Sequence, residues 1–191
     1  MAYDLKNVFY LDASAEITKA TAGAGSAQLD LSAYIDPIAR GRTKGTGLAI
    51  YKVHWSMVDA DNSGKPWDDA ESGTMQAGLI AGLGAGDTAT GAGAASSAAF
   101  ELSNNLLIST ASFFGPRSQI ANASNPVSAF PNTTVDPSEK VPYVIVRDNC
   151  CILYMVGENL IDDYTLSVRL ECAQITLDQA TLNQLLRTQT V

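Results

Sequence analysis

The sequence predicts an all-β fold: a single sandwich or barrel of antiparallel strands, with long loops and a short C-terminal helix. Two stretches of the chain, residues 47–58 and 163–175, alternate between apolar and polar residues. This alternation is the period of a strand with one buried face, because successive side chains point to opposite sides. The strand-like runs do not alternate with long helical patterns, which disfavours a parallel α/β sheet.

Residues 143–175 give the clearest strand signal. Residues 144–146 are β-branched, and residues 151–156 are apolar at every position, which is typical of a strand buried on both faces. Turn residues at 147–149, 157–159 and 162–163 separate the runs. We therefore expect three consecutive antiparallel strands here, with the middle strand in the core of a two-layer structure.

The whole chain contains eight such runs, at 8–12, 28–34, 47–58, 100–104, 106–114, 143–147, 151–157 and 163–175. The third run should have one apolar face, formed by Ala49, Tyr51, Val53, Trp55 and Met57. Lys52, His54 and Ser56 lie on its polar face. Eight strands suit a jelly roll, so we predict an eight-stranded jelly-roll sandwich or barrel.

The length of 191 residues suits one β-barrel domain, 1–191. Within it, residues 1–27 are expected to form an N-terminal arm or edge strand, because residues 13–27 are small and polar. Residues 74–99 are almost entirely Gly, Ala, Ser and Thr, and we expect a Gly/Ala-rich insertion loop that cannot anchor itself in a core. Residues 115–142 are rich in proline and should form an extended loop.

A short helix is expected over residues 176–187. Thr176 and Gln179 have the spacing of a capping box, in which two side chains satisfy free amides at a helix start. Leu182, Leu185 and Leu186 then form an apolar stripe at helical spacing. The helix should pack on the sheet or on a neighbouring subunit.

The charge balance limits the partners. The chain has 20 acidic and 12 basic residues, a net charge of −8, which argues against nucleic acid and anionic membrane surfaces as partners. Charged residues make up only 17 % of the chain, against roughly a quarter in typical soluble domains. Such a surface suits a subunit packed among neighbours, although a soluble domain with a neutral surface remains an alternative.

The three cysteines do not form a disulfide framework, because their number is odd and two are adjacent. Cys151 and Cys172 lie in neighbouring predicted strands and could pair, but buried free thiols are the expectation. The N-terminus lacks the basic start and apolar core of a signal peptide, and no run approaches the ~20 apolar residues of a membrane span. We expect a protein made in the cytoplasm.

One local motif suggests a metal. Asp59, Asp61 and Ser63 supply oxygen ligands at positions one, three and five, and Gly64 follows at six, as at the start of a calcium loop. Position twelve is Ala70 instead of glutamate, although Asp68, Asp69 and Glu71 lie close enough to substitute. Ca²⁺ at this loop is one hypothesis, and a polar surface loop is the other. No other cofactor is expected.

Catalytic signatures are weak. His54 is the only histidine, which excludes multi-histidine zinc sites, and it lies in mid-strand. The chain has no Gly-x-Ser-x-Gly nucleophile elbow, and the glycines of residues 82–86 follow no strand–turn–helix pattern of a dinucleotide loop. Arg40, Arg42 and Lys44 form a basic loop that could contact an acidic neighbour or phosphate. We expect no enzyme and assign no catalytic residue.

Two classes of function then remain besides an enzyme. One is a structural subunit of a large assembly. The other is a β-sandwich module for a ligand such as carbohydrate, using the loop at 59–73 and Trp67.

The single β-sandwich, the N-terminal strand-arm and the strand series YVIVRDNCCILYMVGENLIDDYTLSVRLECAQI resemble viral jelly-roll coat proteins. The chain is most similar to small major capsid proteins of the single vertical β-barrel type, from icosahedral viruses with an internal membrane. Other virion β-sandwich proteins, of tail tubes, spikes or cement, look alike at this level. The resemblance implies self-association into a shell, a second coat protein as a further partner, proximity to the internal membrane, and a place in the virion.

Overall fold

The computed structural model describes residues 8–19, 23–36, 44–61, 71, 73–82, 97–115, 132–157 and 160–189. In these ranges the chain forms nine strands, one short 3-10 helix and one α-helix. The strands are β1 Val8–Ile17, β2 Gly23–Asp30, β3 Lys44–Asp59, β4 Thr74–Ala81, β5 Leu107–Phe114, β6 Asn132–Val135, β7 Tyr143–Ile145, β8 Asn149–Val156 and β9 Tyr164–Asp178. The 3-10 helix spans Ser97–Phe100, and α1 spans Gln179–Thr188.

The strands form two sheets in which every pairing is antiparallel. Sheet A has the order β1-β9-β3-β7, and sheet B has the order β2-β8-β4-β5-β6. The strands are therefore nested: β1 pairs with β9, β2 with β8 and β3 with β7, while β4 and β5 pair at the centre. This arrangement is a jelly roll with one additional edge strand, β6, and it confirms the predicted fold class.

The three strands predicted within residues 143–175 are present, but they do not lie side by side. β7 and β9 lie in sheet A and β8 lies in sheet B, so none of the three pairs with another. The connections between them cross from one sheet to the other instead of forming hairpins. Alternation reveals the buried face of a strand, but it does not reveal which strand lies beside it.

The prediction of an insertion loop at 74–99 is wrong for residues 74–81. Thr74–Ala81 is β4, a central strand of sheet B, and most of its residues are buried. Its small residues have a packing role, because a Cβ at Gly78 would lie 2.9 Å from Cδ1 of Phe100. The aromatic ring of Phe100 thus supplies the apolar bulk that β4 lacks. Residues 83–96 lie outside the described residues.

Two further strand predictions need correction. The predicted strand at 100–104 is wrong, because Phe100 ends the 3-10 helix and the following residues form turns before β5. Residues 132–135, assigned to a proline-rich loop, form the edge strand β6. The second predicted run, 28–34, corresponds to β2, which starts earlier and ends at Asp30. Within residues 1–27, β1 forms one edge of sheet A.

A β-bulge changes the buried face of β3. The register with β9 shifts between Ile50 and Lys52, so Tyr51 is the additional residue. Leu48 and Ile50 point into the core before the bulge, and Val53, Trp55 and Met57 do so after it. The single apolar face predicted for this strand, with Tyr51 on it, is therefore wrong at its start.

The C-terminal helix is present but begins three residues later than expected. β9 continues to Asp178, whose carboxylate accepts a hydrogen bond of 2.7 Å from the Thr181 amide and caps α1. This bond lowers the pKa of Asp178. The predicted Thr176–Gln179 capping box is thus wrong. No helix in the described ranges is long and apolar enough to cross a membrane.

The core lies between the two sheets and consists of apolar side chains from both inner faces. Its largest fully buried members include Phe113, Ile152 and Tyr164. Leu31 and Ile35, which follow β2, and Phe100 of the 3-10 helix also pack against it.

At the edge of sheet A that is formed by β7 and the adjacent part of β3, side chains satisfy backbone groups. After α1, the amide of Gln189 donates to the Val144 carbonyl at 2.6 Å and accepts from the Val146 N–H at 3.1 Å, as a neighbouring strand would. Beyond the short β7, the carboxylate of Asp136 accepts from the Val53 N–H at 3.2 Å. Satisfied edge groups cannot pair with the edge of another sheet.

Candidate functional site

The outer face of sheet A carries a group of polar side chains from three adjacent strands. Three rows of side chains cross β1, β9 and β3, and the register places the members of each row directly opposite one another. The rows are Tyr10–Glu171–Lys52, Asp12–Arg169–His54 and Ser14–Ser167–Ser56. The alternation of each strand turns these residues outward, because their neighbours in sequence point into the core.

Two contacts connect the first row to the second. Nε2 of His54 lies 2.7 Å from Oε1 of Glu171, and the guanidinium carbon of Arg169 lies 6.0 Å from the centre of the Tyr10 ring. The His54–Glu171 pair is partly exposed, so its contribution to stability is expected to be small. Asp12, Ser14 and Ser56 take no part in these two contacts and face solvent. Ser167 is partly covered.

The three rows enclose a shallow depression of about 910 Å³. The serine row supplies short side chains, and the longer side chains of the row Asp12–Arg169–His54 lie next to it. The polar residues that line the depression are Tyr10, Asp12, Ser14, His54, Ser56, Ser167, Arg169 and Glu171. This lining contains carboxylates, a guanidinium group, an imidazole and hydroxyl groups, so it offers both hydrogen-bond donors and acceptors.

Part of this surface could be read from the sequence. The alternation placed His54 and Ser56 on one polar face and Ser167, Arg169 and Glu171 on another. The sequence predicted a strand at 8–12 but assigned it no polar face, and its continuation to Ile17 was missed because residues 13–27 looked like a featureless polar segment. No sequence signal showed that β9 lies between β1 and β3, and the depression exists only because of that order.

The proposed calcium ligands are only partly described. Asp59 is buried and its carboxylate accepts a hydrogen bond of 2.9 Å from the Asp61 amide. Oδ2 of Asp61 lies 3.8 Å from Nζ of Lys19. Ser63, Asp68 and Asp69 lie outside the described residues, so Ca²⁺ binding stays a prediction. In the ranges that are described, no three His, Cys, Asp or Glu residues are grouped to hold a metal.

Glu71, considered as a substitute calcium ligand, has a different environment. It is fully buried, and Oε1 accepts from the Gly73 amide at 2.6 Å. Oε2 accepts from the Ile161 amide at 3.0 Å and from the Tyr164 hydroxyl at 3.1 Å. Through these three hydrogen bonds Glu71 joins the β3–β4 and β8–β9 connections at one end of the sandwich.

All three thiols are free and buried. Cys151 lies in β8 of sheet B and Cys172 in β9 of sheet A, so they are not in neighbouring strands as expected from the sequence. Burial raises the pKa of Cys150 and Cys172 to about 12 and that of Cys151 to about 11. Protonated, inaccessible thiols are poor nucleophiles and poor metal ligands.

Comparison with known proteins adds limited information. No family model matches the sequence, and no curated protein matches it. Among solved structures, the chain is similar to VP1 of Trichodysplasia spinulosa-associated polyomavirus in complex with GM1 oligosaccharide, with 7 % identity and a TM-score of 0.43, covering 93 % of this chain and 96 % of that one. The same VP1 in complex with 3'-sialyllactose has 8 % identity and a TM-score of 0.37, covering 92 % and 97 %.

Proposed function

We propose that this chain is a virion structural protein, a capsid subunit that assembles with copies of itself into an icosahedral shell and has no catalytic role. The observation that carries the proposal is the nested strand order β1-β9-β3-β7 over β2-β8-β4-β5. Jelly rolls of this kind occur in viral capsids, in lectins and in cupins. The core packed with apolar side chains favours a building block over an enzyme with an internal site.

Composition supports the same choice. The low content of charged residues, 17 %, suits surfaces that are covered by neighbours. The net charge of −8 disfavours direct contact with nucleic acid. As the sequence resemblance implies, the proposal includes a second coat protein as a further partner and a position near an internal membrane.

Two exposed apolar side chains provide a candidate subunit contact. Leu102 is 77 % exposed and Val141 is 74 % exposed. They lie on segments that are joined by a hydrogen bond of 3.0 Å from the Tyr143 hydroxyl to the Asn105 carbonyl. Burying such side chains against a neighbour would stabilise an assembly by about 1.5–3 kcal/mol for each side chain.

The test is the mass of the purified protein in solution. Light scattering over a wide range of concentrations, with and without Ca²⁺, should show large closed oligomers, and electron microscopy should show shells. Tubes instead of shells would replace the capsid proposal with a tail-tube protein. A monomer under all conditions would refute self-assembly and favour a ligand-binding module.

Matched variants locate the contact. Leu102→Asp and Val141→Asp should each raise the protein concentration required for assembly at least tenfold. Ser103→Asp is the control, because it adds the same charge at an adjacent exposed position without removing an apolar group. Equal effects of all three variants would show that charge, and not the apolar contact, governs assembly.

A further inference from the structure

The depression on the outer face of sheet A has features of a ligand site that the proposed shell does not require. It lies on three adjacent strands, so hydrogen-bonded backbone positions its side chains more rigidly than a loop would. Its volume of about 910 Å³ lies within the range typical of small-molecule sites. Its lining contains three hydroxyl groups in one row, Ser14, Ser167 and Ser56.

The charges around the depression select against ionic ligands. Asp12 and Glu171 would repel an anion, and Arg169 would repel a cation. A ligand hydroxyl group, in contrast, both donates and accepts a hydrogen bond. It can donate to a carboxylate and accept from a guanidinium group at the same time. A neutral ligand with many hydroxyl groups therefore matches this lining better than a charged one.

Tyr10 adds an apolar platform at the border of the depression. Its side chain is 60 % exposed although it lies in a β-strand, and Arg169 is positioned over its ring. An exposed tyrosine supplies a rigid contact area with little loss of conformational entropy on binding. The ring can contact the C–H face of a sugar while neighbouring polar groups bind its hydroxyls.

We propose that this depression binds a short uncharged oligosaccharide through Asp12, Arg169 and the serine row, with Tyr10 against a sugar ring. The binding site is separate from the apolar contact at Leu102 and Val141. It would allow the protein to attach to a glycan-bearing surface or to carry a bound saccharide. The inference does not depend on shell assembly, which is measured by light scattering.

The experiment uses the full chain, fluorescently labelled, on an array of immobilised neutral oligosaccharides that also includes sialylated and sulfated ones. The strongest neutral binder is then titrated in solution by calorimetry. We expect binding to neutral structures, and we expect Asp12→Ala and Tyr10→Ala to weaken it at least tenfold. Asp12→Asn keeps an acceptor at the same position and should retain affinity to within about threefold, a difference of about 0.7 kcal/mol.

Glu16→Ala is the matched control, because Glu16 is exposed on the same face of β1 but does not line the depression. It should bind like the unmodified protein, and circular dichroism should show that every variant is folded. Binding to none of the neutral oligosaccharides, or to charged ones alone, would overturn the proposal. Neutral binding that survives both Asp12→Ala and Tyr10→Ala would place the saccharide elsewhere and overturn it too.

Discussion

Replacing Glu71 should destabilise the protein more than replacing any exposed acidic residue. Its fully buried carboxylate accepts three hydrogen bonds, from the Gly73 and Ile161 amides and from the Tyr164 hydroxyl. Glu71→Ala removes this acceptor and leaves the donors in a region with little access to water. Each buried donor left without a partner costs about 1–3 kcal/mol, so allowing for partial rescue by water we expect a loss of about 4 kcal/mol.

Two milder substitutions separate the contributions of the individual hydrogen bonds to Glu71. Glu71→Gln keeps one acceptor oxygen, and its NH₂ group faces either the Gly73 amide or, in the other orientation, both the Ile161 amide and the Tyr164 hydroxyl. In either orientation one backbone N–H loses its acceptor, so the loss should be about 2 kcal/mol. Tyr164→Phe removes a single donor and should reduce stability by about 1.5–2 kcal/mol.

The assay is urea-induced unfolding of the unassembled subunit, followed by tryptophan fluorescence, which reports on the buried Trp55. Glu16→Ala is the control, because an exposed substitution should change the free energy of unfolding by less than about 0.5 kcal/mol. A loss below about 1 kcal/mol for Glu71→Ala would refute the reasoning. It would mean that the three donors find other partners without difficulty.

Three further predictions concern the sheet edge, a close contact and the thiols. Gln189→Ala should lower the free energy of unfolding by about 2 kcal/mol in urea titrations, because the Val144 and Val146 backbone groups lose their partner, and Gln189→Glu, which still accepts from the Val146 N–H but places an oxygen against the Val144 carbonyl, should lose at least as much. Gly25→Ala should lower the melting temperature, because its Cβ would overlap the Tyr154 ring, and Tyr154→Ala in the same chain should suppress part of the effect; a neutral Gly25→Ala would contradict this packing. The three cysteines should not react with a thiol reagent in the native protein at about pH 8 and should all react in denaturant. Because folding raises their pKa from 9.0 to about 11–12, the unfolded state loses protons first as pH rises, so stability should fall from about pH 9 upwards; complete labelling of the native protein would contradict this.

The sequence predicts strands well where one face is large and apolar, as in β9, and poorly where packing depends on small residues. β4 was missed because Ala77, Gly78 and Ala81 give no apolar signal, although Phe100 fills the space beside them. The predicted buried face of β3 was partly wrong, because the apolar–polar pattern of the sequence does not reveal a β-bulge. In each case the deciding contact comes from a residue distant in sequence.

The candidate site depends even more on distant residues. Its polar positions on β3 and β9 follow from alternation, but only the strand order places Asp12 opposite Arg169 and Arg169 opposite His54. Alternation cannot specify neighbours, because it describes one strand at a time. Glu71 gave a misleading signal, since an acid near a polar loop resembles a metal ligand until its hydrogen-bond donors are known.

The nested order of the strands also affects how the chain can fold during synthesis. β9 is the second strand of sheet A and pairs with both β1 and β3, yet it is completed only at Asp178. A growing chain on the ribosome therefore carries β1 and β3 without the strand that joins them. Such distant pairings give a high contact order, which slows folding and leaves apolar strands open to aggregation. Chains that terminate before β9 should consequently depend on chaperones or precipitate, even when most of the core residues are already present.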